Sequence, residues 1–233
     1  MVEKTLKTTK GKLRIKIPSQ LNEVTLGQMI EIQDHPVLND IGAISILSGL
    51  SIDKLQNVTN INDFQVFGDT VLSLSHQVKQ LYNSDSVPKK ITFSVRGRNT
   101  IINVINNLSV EPAGAFMATR EIIAEEINEH IKQYGKDDWE ANFNPSLKAC
   151  CQVLAYYFFC RATGKQYNEY EAEEFCAEIK KLRVTEALPI AKHFFTCYPG
   201  LSKQKISCYQ HLQRLWRKGP GYNLSKSLNI SIP

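Results

Sequence analysis

The segment from Asn144 to Arg161 constrains the fold more than any other part of the chain. After Asn144-Pro145 it runs without glycine or proline through Leu147, Cys151, Leu154, Ala155, Phe158 and Phe159. Asparagine before proline reads as a helix opening. The amide oxygen can take up a free backbone N–H, and proline at the first helical position loses nothing by lacking one. The helix that follows is apolar over most of its surface. A helix on the outside of a protein carries a single apolar stripe, so one that is apolar nearly all round has to be enclosed by other elements. It is expected at the centre of the core.

The rest of the sequence supplies what can enclose it. Gly114 to Tyr134 places Phe116, Ile122, Ile123, Ile127 and Ile131 at helical spacing. Asn168-Glu169-Tyr170-Glu171 is a capping box that starts a helix to about Leu182. Thr185 begins the next, with Leu188, Ile190, Ala191, Phe194 and Phe195 inward and Pro189 in its first turn or at a kink. Ser202 to Trp216 reads as a last helix. Nearer the start, Thr25-Leu26-Gly27-Gln28 is another capping box, Pro36 restarts a second helix, and Gly49 closes it. Ser51 caps a further turn with Leu55 inward. Asn60 or Asn62 caps a longer helix to about Tyr82.

Strand signals are few. Lys12 to Ile17 alternates Leu13, Ile15 and Ile17 with Lys12, Arg14 and Lys16, and Pro18 ends it. Ile91–Val95 and Thr100–Val104 flank Arg96-Gly97-Arg98-Asn99, a hairpin with Gly97 at positive φ. A lone two-stranded ribbon is marginal, so the Lys12–Ile17 strand is expected to join this hairpin. The fold class expected is mainly α: a helical bundle with a small β-hairpin or three-stranded sheet and extended termini. Its parts are a basic N-terminal arm and strand (1–18), an N-terminal helical unit (19–83), the β-hairpin (88–106), a C-terminal helical bundle (109–217) and an extended C-terminal tail (218–233).

The 233 residues are 42% hydrophobic and 22% charged, ordinary globular composition. No apolar run of about 18 residues occurs, so no membrane partner is expected. The basic start, Met1 to Lys16, has no apolar stretch behind it and does not read as a secretory signal. Six cysteines, Cys150, Cys151, Cys160, Cys176, Cys197 and Cys208, lack the paired spacing of a zinc site. They read as free thiols used as small apolar residues in a reducing compartment.

Residues that could carry chemistry are scattered. Glu126 and His130 share a helical face, but a metal needs three or four ligands. Glu125, Glu126 and Glu129 read as a solvated face. Cys151 or Cys160 with His193 is a nucleophile–base pair only in principle, since buried thiols are inert. There is no phosphate-binding loop and no dinucleotide fingerprint. Neither catalysis nor a cofactor is expected.

The charge distribution says more. The net charge is +5. Residues 1–16 carry six basic side chains against Glu3, residues 201–233 carry six against none, and residues 111–186 hold 14 acidic and 9 basic. Basic ends and an acidic middle suit packing between neighbouring copies, or an anionic partner. Lys4, Lys7 and Lys10 make up the basic arm, expected to lie across an acidic neighbour, and Arg96 and Arg98 the hairpin tip. After Gly219-Pro220-Gly221 the chain ends in an alternating Leu228, Ile230, Ile232 strip that can add to a sheet edge or fill a groove on another chain. These three, with Tyr222, Lys218, Arg217 and Trp216, are the expected partner-binding residues. Cationic and aromatic groups also interleave from Tyr209 to Lys218, which leaves non-specific contact with DNA open.

Two stretches carry a family resemblance. The strand ending in proline, then Val24-Thr-Leu-Gly-Gln-Met-Ile-Glu-Ile32 and Ile46-Leu-Ser-Gly-Leu-Ser-Ile-Asp-Lys-Leu55, resembles the opening of small tail-assembly and neck proteins of tailed phages. Ala187-Leu-Pro-Ile-Ala-Lys-His-Phe-Phe195 is similar to proteins in phages of Bacteroidota, including crAss-like phages. The resemblance covers roughly residues 12–83 and 145–198 and rests on apolar, structural motifs. It implies a structural virion protein of the head-to-tail neck or tail, assembled in the host cytoplasm. Such a subunit forms a homo-oligomeric ring beside the portal and other neck or tail proteins. The alternatives are a tail-assembly chaperone that binds a hydrophobic partner chain, and a DNA-binding accessory protein.

Overall fold

The structure is a computed structural model and describes residues 1–35, 38–81, 86–95, 97–105, 107, 110–135 and 143–197. It is mainly helical, with two small antiparallel hairpins. Strands β1 (Val2–Thr8) and β2 (Gly11–Ile17) come first, followed by helices α1 (Leu26–Asp34), α2 (Asp40–Ser48), α3 (Ile52–Gln56) and α4 (Gln65–Leu81). Strands β3 (Lys90–Val95) and β4 (Arg98–Asn103) lead to α5 (Ala113–Tyr134), α6 (Leu147–Thr163), α7 (Glu169–Glu174), α8 (Cys176–Ile179) and α9 (Val184–Cys197).

Helix α6 is the centre that its sequence demands. Its buried residues include Leu147, Cys150, Cys151, Leu154, Tyr157, Phe158 and Phe159, which face in all directions around the axis. Helices α1, α5, α7, α8 and α9 and both strands of the second hairpin pack against it. The buried apolar residues form one cluster that reaches from Leu6 to Phe195, so both helical units share a core.

The helix opens two residues later than its sequence suggests. Ser146, not Asn144, is the cap, and it accepts the Ala149 N–H at 3.1 Å. Glu126 of α5 accepts both the Ser146 N–H (2.9 Å) and its hydroxyl (2.7 Å), which pins the start of α6 to α5. Gly164 ends the helix in the left-handed region at φ 69°. The Thr25/Gln28 box is complete, and Asn168 accepts the Glu171 N–H. The helix from Glu169 breaks at Phe175 into α7 and α8. The second N-terminal helix starts at Asp40 with Asn39 as its cap; Pro36 lies outside the described residues.

The strands differ from expectation in their pairing. The Lys12–Ile17 strand does not join the second hairpin. It pairs with Val2–Thr8 through a two-residue turn, with Leu6 opposite Leu13 and Lys4 opposite Ile15. A partner nine residues away closes a shorter loop than one some eighty residues away, and its alternation supplies the matching face. The second hairpin pairs Val95 with Arg98, so two residues rather than four link its strands, with Gly97 at φ 73°. Phe93 from β3 packs its ring 5.1 Å from Phe158 and 5.5 Å from Phe175.

Candidate interaction surfaces

The residues read as a free basic arm are a strand folded onto their own subunit. In the register of β1 and β2, one face holds Val2, Lys4, Leu6, Leu13, Ile15 and Ile17, with Leu6, Ile15 and Ile17 fully buried. Lys4 is therefore on the inner side. Its ammonium pairs with Asp63 at 2.8 Å and ties the hairpin to the turn before α4. At the near end the Met1 ammonium donates to both Glu23 oxygens, at 2.8 and 2.7 Å, and holds that carboxyl down at about 2. At the far end the Thr9 N–H donates to the Asn57 carbonyl and the Thr59 N–H to the Lys7 carbonyl.

The opposite face is cationic. Cross-strand pairs there are Glu3–Lys16, Thr5–Arg14 and Lys7–Lys12, and Lys10 projects from the turn. Arg14 bonds Glu3 and lowers its pKa. Lys7, Lys10 and Lys12 have no ion pair among the described residues. Like charges directly across a ladder repel, so the Lys7–Lys12 pair works against the hairpin while Glu3 with Arg14 works for it.

A face of opposite sign lies on α7 and α8. From Glu169 to Ile179 the chain has five glutamates and no lysine or arginine. Glu171 pairs with Lys165 and Glu178 with Lys181. Glu169, Glu173 and Glu174 are exposed without an ion pair among the described residues, and Tyr170 between them is 81% exposed. An open groove of about 210 Å³ runs beside them, with Phe159 and Phe175 at its floor and Lys165, Glu171, Glu174 and Glu178 at its rim.

The second hairpin is held by an ion pair between buried Glu111 and half-buried Arg161. Arg161 Nε lies 2.8 Å from Glu111 Oε1, its Nη1 donates to the Asn103 carbonyl at 2.9 Å, and its guanidinium carbon stands 4.2 Å above the Tyr157 ring. The Tyr157 hydroxyl donates to the Ile105 carbonyl and accepts its N–H. Burial raises the Glu111 pKa against the pull of Arg161. Past this anchor, Ile101, Ile105 and Val110 are large apolar residues left exposed.

The remaining expectations resolve as follows. Glu126 is committed to Ser146, and His130 stacks on Tyr134 and Phe143 at 4.7 and 5.2 Å. They do not form half a metal site, and no cluster of three or more ligating side chains occurs among the described residues. His193 meets neither Cys151 nor Cys160 but Cys197, one turn along its own helix at 3.5 Å. Arg98 is exposed at the hairpin tip; Arg96 lies outside the described residues. Trp216, Arg217, Lys218, Tyr222, Leu228, Ile230 and Ile232 also lie outside them, as does Cys208. Sequence reading missed the acidic face on α7–α8, although its run of glutamates was visible. It also missed the inward turn of Lys4. No helix among the described residues is long and apolar enough to cross a membrane.

No protein-family model, curated protein or solved structure matches the chain.

Proposed function

We propose that the chain is a structural subunit that docks head to tail on copies of itself, as a ring or adaptor protein in the neck or tail of a tailed phage. The observation that carries this reading is the pair of exposed faces of opposite sign on different elements. Lys7, Lys10 and Lys12 are concentrated on the β1–β2 hairpin, and Glu169, Glu173 and Glu174 on α7–α8. A contact between two different patches is heterologous, and it closes into a ring when the rotation between copies allows. Arranging like charges side by side costs the lone subunit stability that an acidic neighbour would restore. The C-terminal strip Leu228, Ile230 and Ile232 is a second gripping element in this reading. The portal and other neck or tail proteins are the further partners.

Native mass spectrometry of the purified protein at low salt tests it. Assembled species are expected, lost in Lys7→Glu/Lys12→Glu and regained when that variant is mixed with Glu173→Lys/Glu174→Lys. A monomer under all these conditions would overturn the ring. DNA binding by the wild-type hairpin without self-association would move the assignment to a DNA-binding accessory protein.

A second reading has its own observation. Ile101, Ile105 and Val110 expose apolar surface between β4 and α5, which suits a tail-assembly chaperone holding a hydrophobic partner chain. Mass analysis of purified virions separates the two: a neck subunit is present and a chaperone absent.

A further inference from the structure

Two cysteines 25 positions apart meet where α8 packs on α6. Cys151 lies buried on α6, and Cys176 is the half-buried first residue of α8. The Cys151 thiol donates towards the Cys176 main-chain carbonyl at 3.7 Å, which sets its side chain against the first turn of α8. Both are free thiols. The nearby Cys150 is fully buried, and its desolvation pushes its pKa up.

The pair is asymmetric. The neighbouring Cys151 side chain and, after it, the Lys180 ammonium favour a thiolate at Cys176, so the Cys176 pKa falls. Cys151 shifts upward, because of the Cys176 side chain beside it and because it is buried. The thiolate, not the thiol, is the nucleophile. The more accessible sulfur is thus also the more reactive, with a second thiol held against it.

We propose that Cys176 and Cys151 form an oxidisable dithiol, in which Cys176 reacts with hydrogen peroxide and Cys151 resolves the product to a disulfide. The Cys176 thiolate attacks one peroxide oxygen. The S–O bond forms, the O–O bond breaks, and hydroxide leaves and is protonated to water. Cys151 then releases its proton and attacks the sulfenic sulfur. The S–S bond forms, the S–O bond breaks, and the oxygen leaves as a second water. Two thiols are oxidised by two electrons and one peroxide is reduced. A small-molecule thiol reverses the change by thiol–disulfide exchange. The bridge fastens α8 to α6 and, through the Lys180 carbonyl that accepts the Gly27 N–H at 2.8 Å, stiffens the seat of α1.

The test treats the full chain with hydrogen peroxide, alkylates the remaining thiols and maps peptides by mass spectrometry. A disulfide-linked Cys151–Cys176 peptide is expected, formed about tenfold faster than any oxidation of the exposed Cys197, in line with thiolate character. In Cys151→Ser, Cys176 should accumulate as a sulfenic acid that dimedone traps. In Cys176→Ser, Cys151 should stay a free thiol. Oxidation of Cys197 ahead of Cys176, or full oxidation of Cys176 in the wild-type chain without the linked peptide, overturns the proposal. The wild-type readout holds even where a serine variant fails to fold.

Discussion

Lys7 stands directly across the β1–β2 ladder from Lys12, with both ammonium groups exposed. Opposed like charges cost a hairpin roughly 0.2–1 kcal/mol relative to a neutral pair. Lys7→Glu is therefore expected to stabilise the isolated subunit by an amount in that range while it weakens assembly. Denaturant unfolding and native mass spectrometry on the same sample check this. A variant that is both less stable and still assembled would contradict the docking role.

Lys4 and Lys7 sit three residues apart on opposite faces of β1. Lys4→Ala removes the ion pair with Asp63 and is expected to cost up to about 1 kcal/mol, as partly exposed pairs do. Assembly should survive it. Lys7→Ala should show the reverse pattern, and the comparison separates fold from function within one strand.

Assembly through the two charged faces should weaken steeply with ionic strength. The Debye length shortens from about 10 Å at 0.1 M to about 3 Å at 1 M. Dissociation measured by sedimentation across that range is the check, and salt-independent assembly would point to an apolar interface instead.

Gly114 lies in the first turn of α5 against the ring of Tyr167. A Cβ placed there would lie 2.7 Å from two ring carbons. Gly114→Ala should gain up to about 1 kcal/mol in helix propensity and lose about 1–3 kcal/mol to overpacking. Net destabilisation is expected by thermal unfolding. Gly114→Ala combined with Tyr167→Leu should recover the propensity gain.

Glu111 sets a pH dependence. Its carboxyl is held above the usual range by burial. The folded chain thus keeps a proton that the unfolded chain releases, and stability falls as pH rises from the ordinary carboxylate value through the raised one. Arg161→Met removes the only cation paired with Glu111 among the described residues. It should cost about 3 kcal/mol at neutral pH and less in acid, where the carboxyl is neutral. Unfolding measured at both ends of that window is the check.

Local chemistry made much of this fold readable. An apolar helix on all sides could only be α6, and the Thr25/Gln28 box, Gly49 and Asn168 marked their helix ends because each acts on backbone within four residues. The first strand was harder. Val2, Lys4, Leu6 and Thr8 share a face with only two apolar members, and Lys4 is turned inward by Asp63, a residue 59 positions away. Ser146 takes the cap from Asn144 because Glu126, twenty residues back, holds it there. The meeting of Cys151 with Cys176 has no sequence period at all. Interactions that depend on packing between distant segments leave no mark on the spacing of either one.

The N-terminus of α1 is joined to the turn before α9 by main-chain atoms. Leu26 and Gly27 donate to the carbonyls of Leu182 and Lys180, both at 2.8 Å, and Val184 donates to the Val24 carbonyl at 2.9 Å. The seam constrains its own residues: a Cβ at Gly27 would lie 3.0 Å from the Lys180 carbonyl oxygen, so the close approach of the two segments requires glycine there. Separating the two segments would leave each with unmet backbone groups, so main-chain bonds tie together parts of the chain about 160 residues apart.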